Sequence, residues 1–310
     1  MGQGRLASVL ASLVVGVAGI AARTTPLPQP GTPRQVASLV AASSRIERLP
    51  RNLVPPLPAL PADNAATYYP GTWHGCSSVT QCVYGDRASA TTVLLLGDSH
   101  AAMWLPALAW VGHHLTLRVV LLWYPGCPAA DVEVWDPTTR SANIGCTAFR
   151  ASALKAIARV APALVLTTNR TANVLGADDR SIPNAVWQQG LEATLATLLA
   201  DKLRVAVIGD VTMLSSDPPV CLAAYPRAVQ RCSSPNPNPA KRTHRADEVA
   251  AAKAEGVPYL DPQPWLCTRT CSPVVGRYAV MNDAQHVSAT YAAYLSVEWE
   301  DVLKPLLPAT

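Results

Sequence analysis

From about Thr91 onward, apolar runs of strand length alternate with windows of helical periodicity, and this order constrains the fold more than any other feature of the chain. The strand-length runs cover residues 93–96, 117–123, 163–168, 204–209 and 257–260. They are apolar along most of their length rather than at alternate positions, so each is expected to be buried on both faces. The helical windows cover about 101–113, 147–160, 185–201, 241–255 and 289–303. Strands and helices in strict alternation predict an α/β body built on a doubly wound, parallel five-stranded sheet in three α/β/α layers. In such a sheet ligands bind beyond the carboxyl ends of the strands, so the residues just past each run are the first functional candidates.

The first run ends in Gly97-Asp98-Ser99-His100-Ala101. Ser99 falls at the start of the following helix, where a backbone N–H and the helix dipole favour a developing anion. An Asp-Ser pair there is also an ordinary helix N-cap. The second run is followed by Gly126, which is able to bring a backbone N–H close to a ligand or to serve simply as a turn. The third is followed by Asn169, an oxyanion donor or a cap. Beyond the last run lies Met281-Asn282-Asp283-Ala284-Gln285-His286-Val287-Ser288, just ahead of a helix. A carboxylate three residues before a histidine folds back on one imidazole nitrogen and leaves the other free. A serine hydroxyl is a poor nucleophile without such a base. The predicted sheet brings Ser99 and His286 to one edge, and with Asp283 they form a candidate Ser-His-Asp set. An α/β-hydrolase would instead show G-x-S-x-G with the acid on a separate loop. Trp104, Trp123 and Tyr124 fall near the same edge, as core aromatics or as platforms for sugar faces. For metal, Cys267-x3-Cys271 and His113-His114 lack a matching second half, so no metal site and no cofactor are expected.

Composition narrows the setting. The formal net charge is only +4 and charged residues make up 15%, which excludes the dense basic face of a nucleic-acid binder. Residues 6–22 are apolar and follow Arg5, as in a signal peptide or a membrane anchor. Residues 23–88 are Pro-rich with one helical stretch at 35–49, and are expected to be a stalk or lead-in to a catalytic domain over 89–310. Eight cysteines suit an oxidising compartment. Pairing nearest neighbours gives Cys76 with Cys82, Cys127 with Cys146, Cys221 with Cys232 and Cys267 with Cys271, and three of these pairs staple the long loops after the second, fourth and fifth strands.

The Gly97–Ala101 and Asp283-x-x-His286-Val287-Ser288 blocks resemble the SGNH (GDSL-like) hydrolase superfamily. With Leu49-Pro50, Leu53-Val54-Pro55, Gly75-Cys76, Cys82-Val83-Tyr84-Gly85-Asp86 and Gly126-Cys127-Pro128, the chain is similar over residues 46–305 to the SGNH domain at the C-terminus of acyltransferase-3 membrane proteins that O-acylate bacterial surface glycans. The resemblance implies a flavodoxin-like SGNH fold. It also implies Ser99 as nucleophile, His286 as general base, Asp283 as its partner, and an oxyanion hole from Ser99, Gly126 and Asn169. The implied activity is transfer of an acetyl or other short acyl group to a cell-envelope glycan. Hydrolysis of such esters is the alternative, and a non-catalytic glycan-binding or scaffold module is a second one. The family's multi-helix acyltransferase half is not in this sequence. The expected possibilities are a chain that works alone, one that takes its acyl group from a separate membrane acyltransferase-3 protein, and a fragment of a longer protein. The expected location is extracytoplasmic, secreted or tethered, with membrane contact through the N-terminal segment only.

Overall fold

The computed structural model describes residues 26–72 and 74–308. The expected signal or anchor at 1–22 lies outside the described residues. Among those described, no helix is long and apolar enough to cross a membrane.

The central sheet contains β1 (Val83–Gly85), β2 (Thr92–Gly97), β3 (Arg118–Trp123), β4 (Leu164–Thr168), β5 (Val205–Ile208) and β6 (Tyr259–Leu260), in the spatial order β1-β3-β2-β4-β5-β6. The strands from β2 to β6 are parallel, while β1 runs antiparallel to β3 with Val83 opposite Val120. The sheet is therefore six-stranded and mixed, where a five-stranded parallel sheet is expected from sequence. The extra strand spans only three residues, too few for a periodicity to register, and tertiary pairing with β3 is what makes it a strand.

Burial on both faces explains the apolar strands. Val93 and Leu95 face one core layer, beneath α4 (Leu105–His114), α9 (Ala289–Tyr294) and α10 (Ser296–Leu303). Leu94 and Leu96 face the other, beneath α5 (Ile144–Val160), α6 (Asn184–Ala200) and α8 (Arg245–Ala254). The helix expected over 101–113 is instead α3 (Ser99–Ala102) and then α4, separated at Met103 and Trp104. Pro106 sits in the first turn of α4, where its missing N–H does no harm but where it cannot continue a hydrogen-bond ladder from α3.

The stretch from Pro26 to residue 88 is not a stalk standing clear of the body. Its helix α1 (Pro33–Ser43) opens with a capping box between Thr32 and Gln35 and buries Val36 and Val40 in the core layer that covers Val93. Gly31 N–H donates to Tyr294 O (2.9 Å), Leu49 N–H to Pro226 O (2.8 Å) and Val54 N–H to Arg277 O (2.8 Å). Leu53 and Leu60 pack with Leu222, Val229 and Val274, and Pro218–Ala224 forms α7 beside them. The prolines punctuate this segment into short helical and extended pieces, and the apolar residues between them bury themselves on the body. A boundary at residue 89 would also cut β1 from its sheet.

Four disulfides join sequence neighbours: Cys76–Cys82, Cys127–Cys146, Cys221–Cys232 and Cys267–Cys271. The second anchors the loop after β3 to the start of α5.

Candidate active site

Gly97 closes β2, and a Cβ there would lie 2.2 Å from Thr168 O, so only glycine lets β2 and β4 end side by side. Asp98 follows, in extended conformation, as the N-cap of α3. Its Oδ1 accepts from His100 N–H (2.8 Å) and its Oδ2 from Arg170 N–H (2.7 Å), which ties the end of β2 to the end of β4. The ordinary capping role thus belongs to Asp98. Ser99 is the first helical residue, and its N–H has no acceptor within the helix.

The second half of the site is the loop before α9. A bridge between Met281 and Val287 closes it, and Asn282 N–H donates to His286 O (3.0 Å). Asp283 Oδ1 accepts from the N–H groups of Gln285 and His286, both at 2.8 Å, while Oδ2 lies 2.6 Å from His286 Nδ1. His286 Nε2 lies 2.8 Å from Ser99 Oγ. Burial alone raises the Asp283 carboxyl, but the hydrogen bond and charge of His286 and the two backbone N–H groups outweigh it and hold it below its ordinary value. An ionised carboxylate places the imidazole proton on Nδ1, so Nε2 is free to accept the Ser99 proton. The arrangement is chemically able to generate a serine alkoxide equivalent.

Ser99, Asp283 and His286 line a cavity of about 300 Å³. Much of its wall is apolar and comes from Met103, Trp123 and Val287 of the body and, in the lead-in, from Pro61 and from Ala65 and Ala66 of α2 (Ala65–Tyr68). The lead-in is held there by Asp63, which accepts from Thr290 N–H (3.1 Å), Thr290 Oγ1 (2.9 Å) and Tyr68 OH (2.8 Å). Sequence reasoning missed this wall, since nothing in a Pro-rich segment marks it as part of a site. It also passed over Asn282, which lines the same cavity and is 6% exposed.

Asn169 corrects the sequence expectation. It is fully buried, its Oδ1 accepts from Ala130 N–H (3.1 Å), and its Nδ2 donates to Glu248 Oε1 (2.8 Å). It does not line the Ser99 cavity, so it is not placed as an oxyanion donor. Gly126 has φ +64, a left-handed conformation that suits glycine, and lines a second cavity rather than the Ser99 cavity. Of the three residues expected to form the oxyanion hole, Ser99 alone lines that cavity. Trp104 is buried edge-on against Trp299 (4.9 Å), a core aromatic.

Beneath the site lies a second His–Asp pair. His100 Nδ1 is 2.6 Å from Asp210 Oδ1, and the His100 ring packs edge-on to His286 at 5.1 Å. Asp210 Oδ2 accepts from both N–H and Oγ1 of Thr171 at 2.7 Å. Burial works against a charged His100, but the Asp210 carboxylate outweighs it and raises its pKa. Asp210 directly follows the fourth strand run, so the strand-end rule was a signal able to find it. Among the described residues, no group of His, Cys, Asp or Glu is placed to hold a metal ion.

A family model described as "SGNH domain (fused to AT3 domains)" matches residues 66–301. By sequence, no curated protein matches the chain. Among solved structures, the periplasmic domain of a lipopolysaccharide acetyltransferase from Salmonella ser. Paratyphi A superposes with a TM-score of 0.54 at 15% identity, covering 70% of this chain and 85% of that one. A GDSL-like lipase from Bacteroides thetaiotaomicron matches with a TM-score of 0.41 at 12% identity, covering 70% of this chain and 90% of that one. The Salmonella match establishes a shared α/β fold.

Proposed function

The chain belongs to the SGNH domain family, in the branch fused to AT3 domains, and on that premise we propose that it is a serine-dependent O-acyltransferase of the cell envelope. The hydrogen bond between Ser99 Oγ and His286 Nε2, at 2.8 Å, carries this reading. Ser99 Oγ attacks the carbonyl carbon of an acyl donor as its proton passes to His286 Nε2. The tetrahedral intermediate collapses to a Ser99 ester, and the leaving alcohol takes the proton from His286. An acceptor sugar hydroxyl then attacks the ester, gives its proton to His286, and leaves as the acylated glycan while Ser99 regains its proton. Asp283 keeps the imidazole in the required tautomer and stabilises it when charged. The Ser99 N–H faces the developing oxyanion; one such donor is worth roughly 3–4 kcal/mol.

Small side chains around Ser99, among them Ala65, Ala66 and Ala102, favour an acetyl or other short acyl group. Fusion to AT3 domains in this family supports a membrane acyltransferase as donor, in the same chain or as a partner. Four disulfides fit an extracytoplasmic location. A tether or export signal in residues 1–22 belongs to the same proposal.

The test is an activated acetyl ester offered to wild type and Ser99→Ala, with and without oligosaccharide acceptors. Wild type is expected to form a serine ester and to give acceptor-dependent product, and Ser99→Ala to lose roughly 10³-fold or more in rate. Rapid turnover by water alone, unaffected by acceptor, would convert the assignment to an esterase. Equal labelling of both proteins would overturn the serine mechanism.

A further inference from the structure

A second cavity, of about 530 Å³, is lined by residues that follow β3 and β4 at the carboxyl edge of the sheet. We propose that it is a subsite for a carboxylated sugar, with Arg170 holding the carboxylate; as an acceptor site this rests on the acyl-transfer function proposed above. Its position follows from two hydrogen bonds. Tyr124 N–H donates to Gly97 O (3.2 Å) and Arg170 N–H to Asp98 Oδ2 (2.7 Å), so two of its wall residues are bonded to the two residues that precede Ser99. The cavity is thereby tied to the strand end that carries Ser99. The volume lies within the roughly 300–1,000 Å³ of small-ligand sites.

The lining suits a pyranose. The rings of Tyr124 and Trp135 offer apolar faces, and Asn143, Asn173 and Thr138 offer polar groups for hydroxyls. The walls are braced in the absence of ligand. Tyr124 stacks on Phe149 at 5.7 Å, Trp135 belongs to a short ribbon paired with Ala142, and Cys127–Cys146 pins the loop that carries Gly126 to the helix after Asn143.

Arg170 supplies the charge selectivity. The other partly or fully buried arginines have acceptors within the fold: Arg150 meets Asp131 at 2.8 Å, Arg245 meets Asp261 at 3.1 Å, and Arg118 donates to Val79 O at 3.1 Å. The Arg170 guanidinium has no such partner among the described residues, and its Nε is buried without an acceptor. A cation that lines a cavity without an acidic partner is open to a ligand carboxylate, which its terminal N–H groups hold in a planar, two-pronged contact. Asp136 also lines the cavity, but its Oδ1 is taken by the N–H groups of Thr138 (2.8 Å) and Thr139 (3.4 Å). Repulsion from Asp136 directs the ligand's acid to the Arg170 end, the end bonded to Asp98.

Binding is read on the Ser99→Ala protein by calorimetry, with methyl glucuronide and methyl glucoside as probes. The glucuronide is expected to bind about tenfold more tightly at low salt, with the preference shrinking as salt rises. Arg170→Met is expected to abolish the preference and keep glucoside binding, Arg170→Lys to restore part of it, and Trp135→Ala to weaken both ligands. Thermal melting checks that each variant folds; if Arg170→Met does not, Arg170→Gln and the salt dependence of the parent protein decide. Equal affinity for the two sugars, or a preference that survives loss of Arg170, would overturn the assignment. Since the measurement involves no turnover, a failure of Ser99 to acylate removes the proposed reaction and not the sugar site. Acylation without an acidic preference removes only the sugar site.

Discussion

Asn169 and Asp210 occupy equivalent places just past strand ends, yet one is braced away from the site and the other supports it. The difference lies in the partner each side chain meets: Asp210 Oδ1 meets His100, while Asn169 Nδ2 meets Glu248, contributed by a helix far along the chain. Glu248 is fully buried, accepts from Asn169 Nδ2 and from Asp210 N–H (3.3 Å), and fixes both neighbours. Burial, and then the negative charge of Asp210, push its carboxyl well above the ordinary 4.5. The sign of the consequence is definite. Above pH 4.5 an unfolded chain releases this proton while the folded chain keeps it, so the folded state binds more protons. The stabilisation from a protonated Glu248 is complete below pH 4.5 and is lost as pH rises through the folded-state value. The stability of wild type relative to Glu248→Gln is therefore expected to fall as pH rises from about 5 to 8, measured by urea unfolding at each pH. A difference independent of pH would show that Glu248 is already ionised in the fold.

At the scale of elements, the site depends on short pieces held from outside. α3 spans four residues and α9 six, too short to be stable alone, and each is fixed by a cap and by neighbours. Ser288 caps α9 while Asp63 binds its first turn, which joins the lead-in to the helix that follows the Asp283–His286 loop. The disulfides brace the remaining loops according to the length of chain they close. Cys127–Cys146 spans 19 residues and Cys267–Cys271 only 4. On a loop-closure basis, replacing the first pair by serines costs about 3 kcal/mol and the second about 2 kcal/mol. Chemical unfolding of the two double variants checks this order, and equal losses or a reversed order would contradict it.

For the whole molecule, the lead-in and the α/β body fold as one unit. Residues 26–88 supply an edge strand, buried side chains in three apolar clusters and a wall of the Ser99 cavity. A chain beginning at residue 89 would expose those apolar surfaces to water. Such a truncation is expected to be insoluble or to melt well below the chain that begins at residue 26, and to lose esterase turnover. A soluble, cooperatively melting product with full turnover would establish that the body stands alone. The parallel sheet and the meeting of Ser99 with the Asp283–His286 loop were legible in the sequence, through the alternation of strands and helices. The lead-in was not legible as part of the body, because its contacts are to residues distant in the chain, from Val83 with Val120 to Gly31 with Tyr294, and such contacts leave no local period.

The sequence by itself determined which residues lie at the carboxyl edge of the sheet, since burial on two faces demands continuous apolar strands and chain connectivity then orders their ends. It also determined that cysteines close in sequence lie within reach of one another. Only the tertiary structure decided which of those edge residues face the Ser99 cavity. Two polar side chains at equivalent strand ends diverge according to the partner that another element brings, and hydrogen-bond satisfaction in a buried layer is a property of the packed whole.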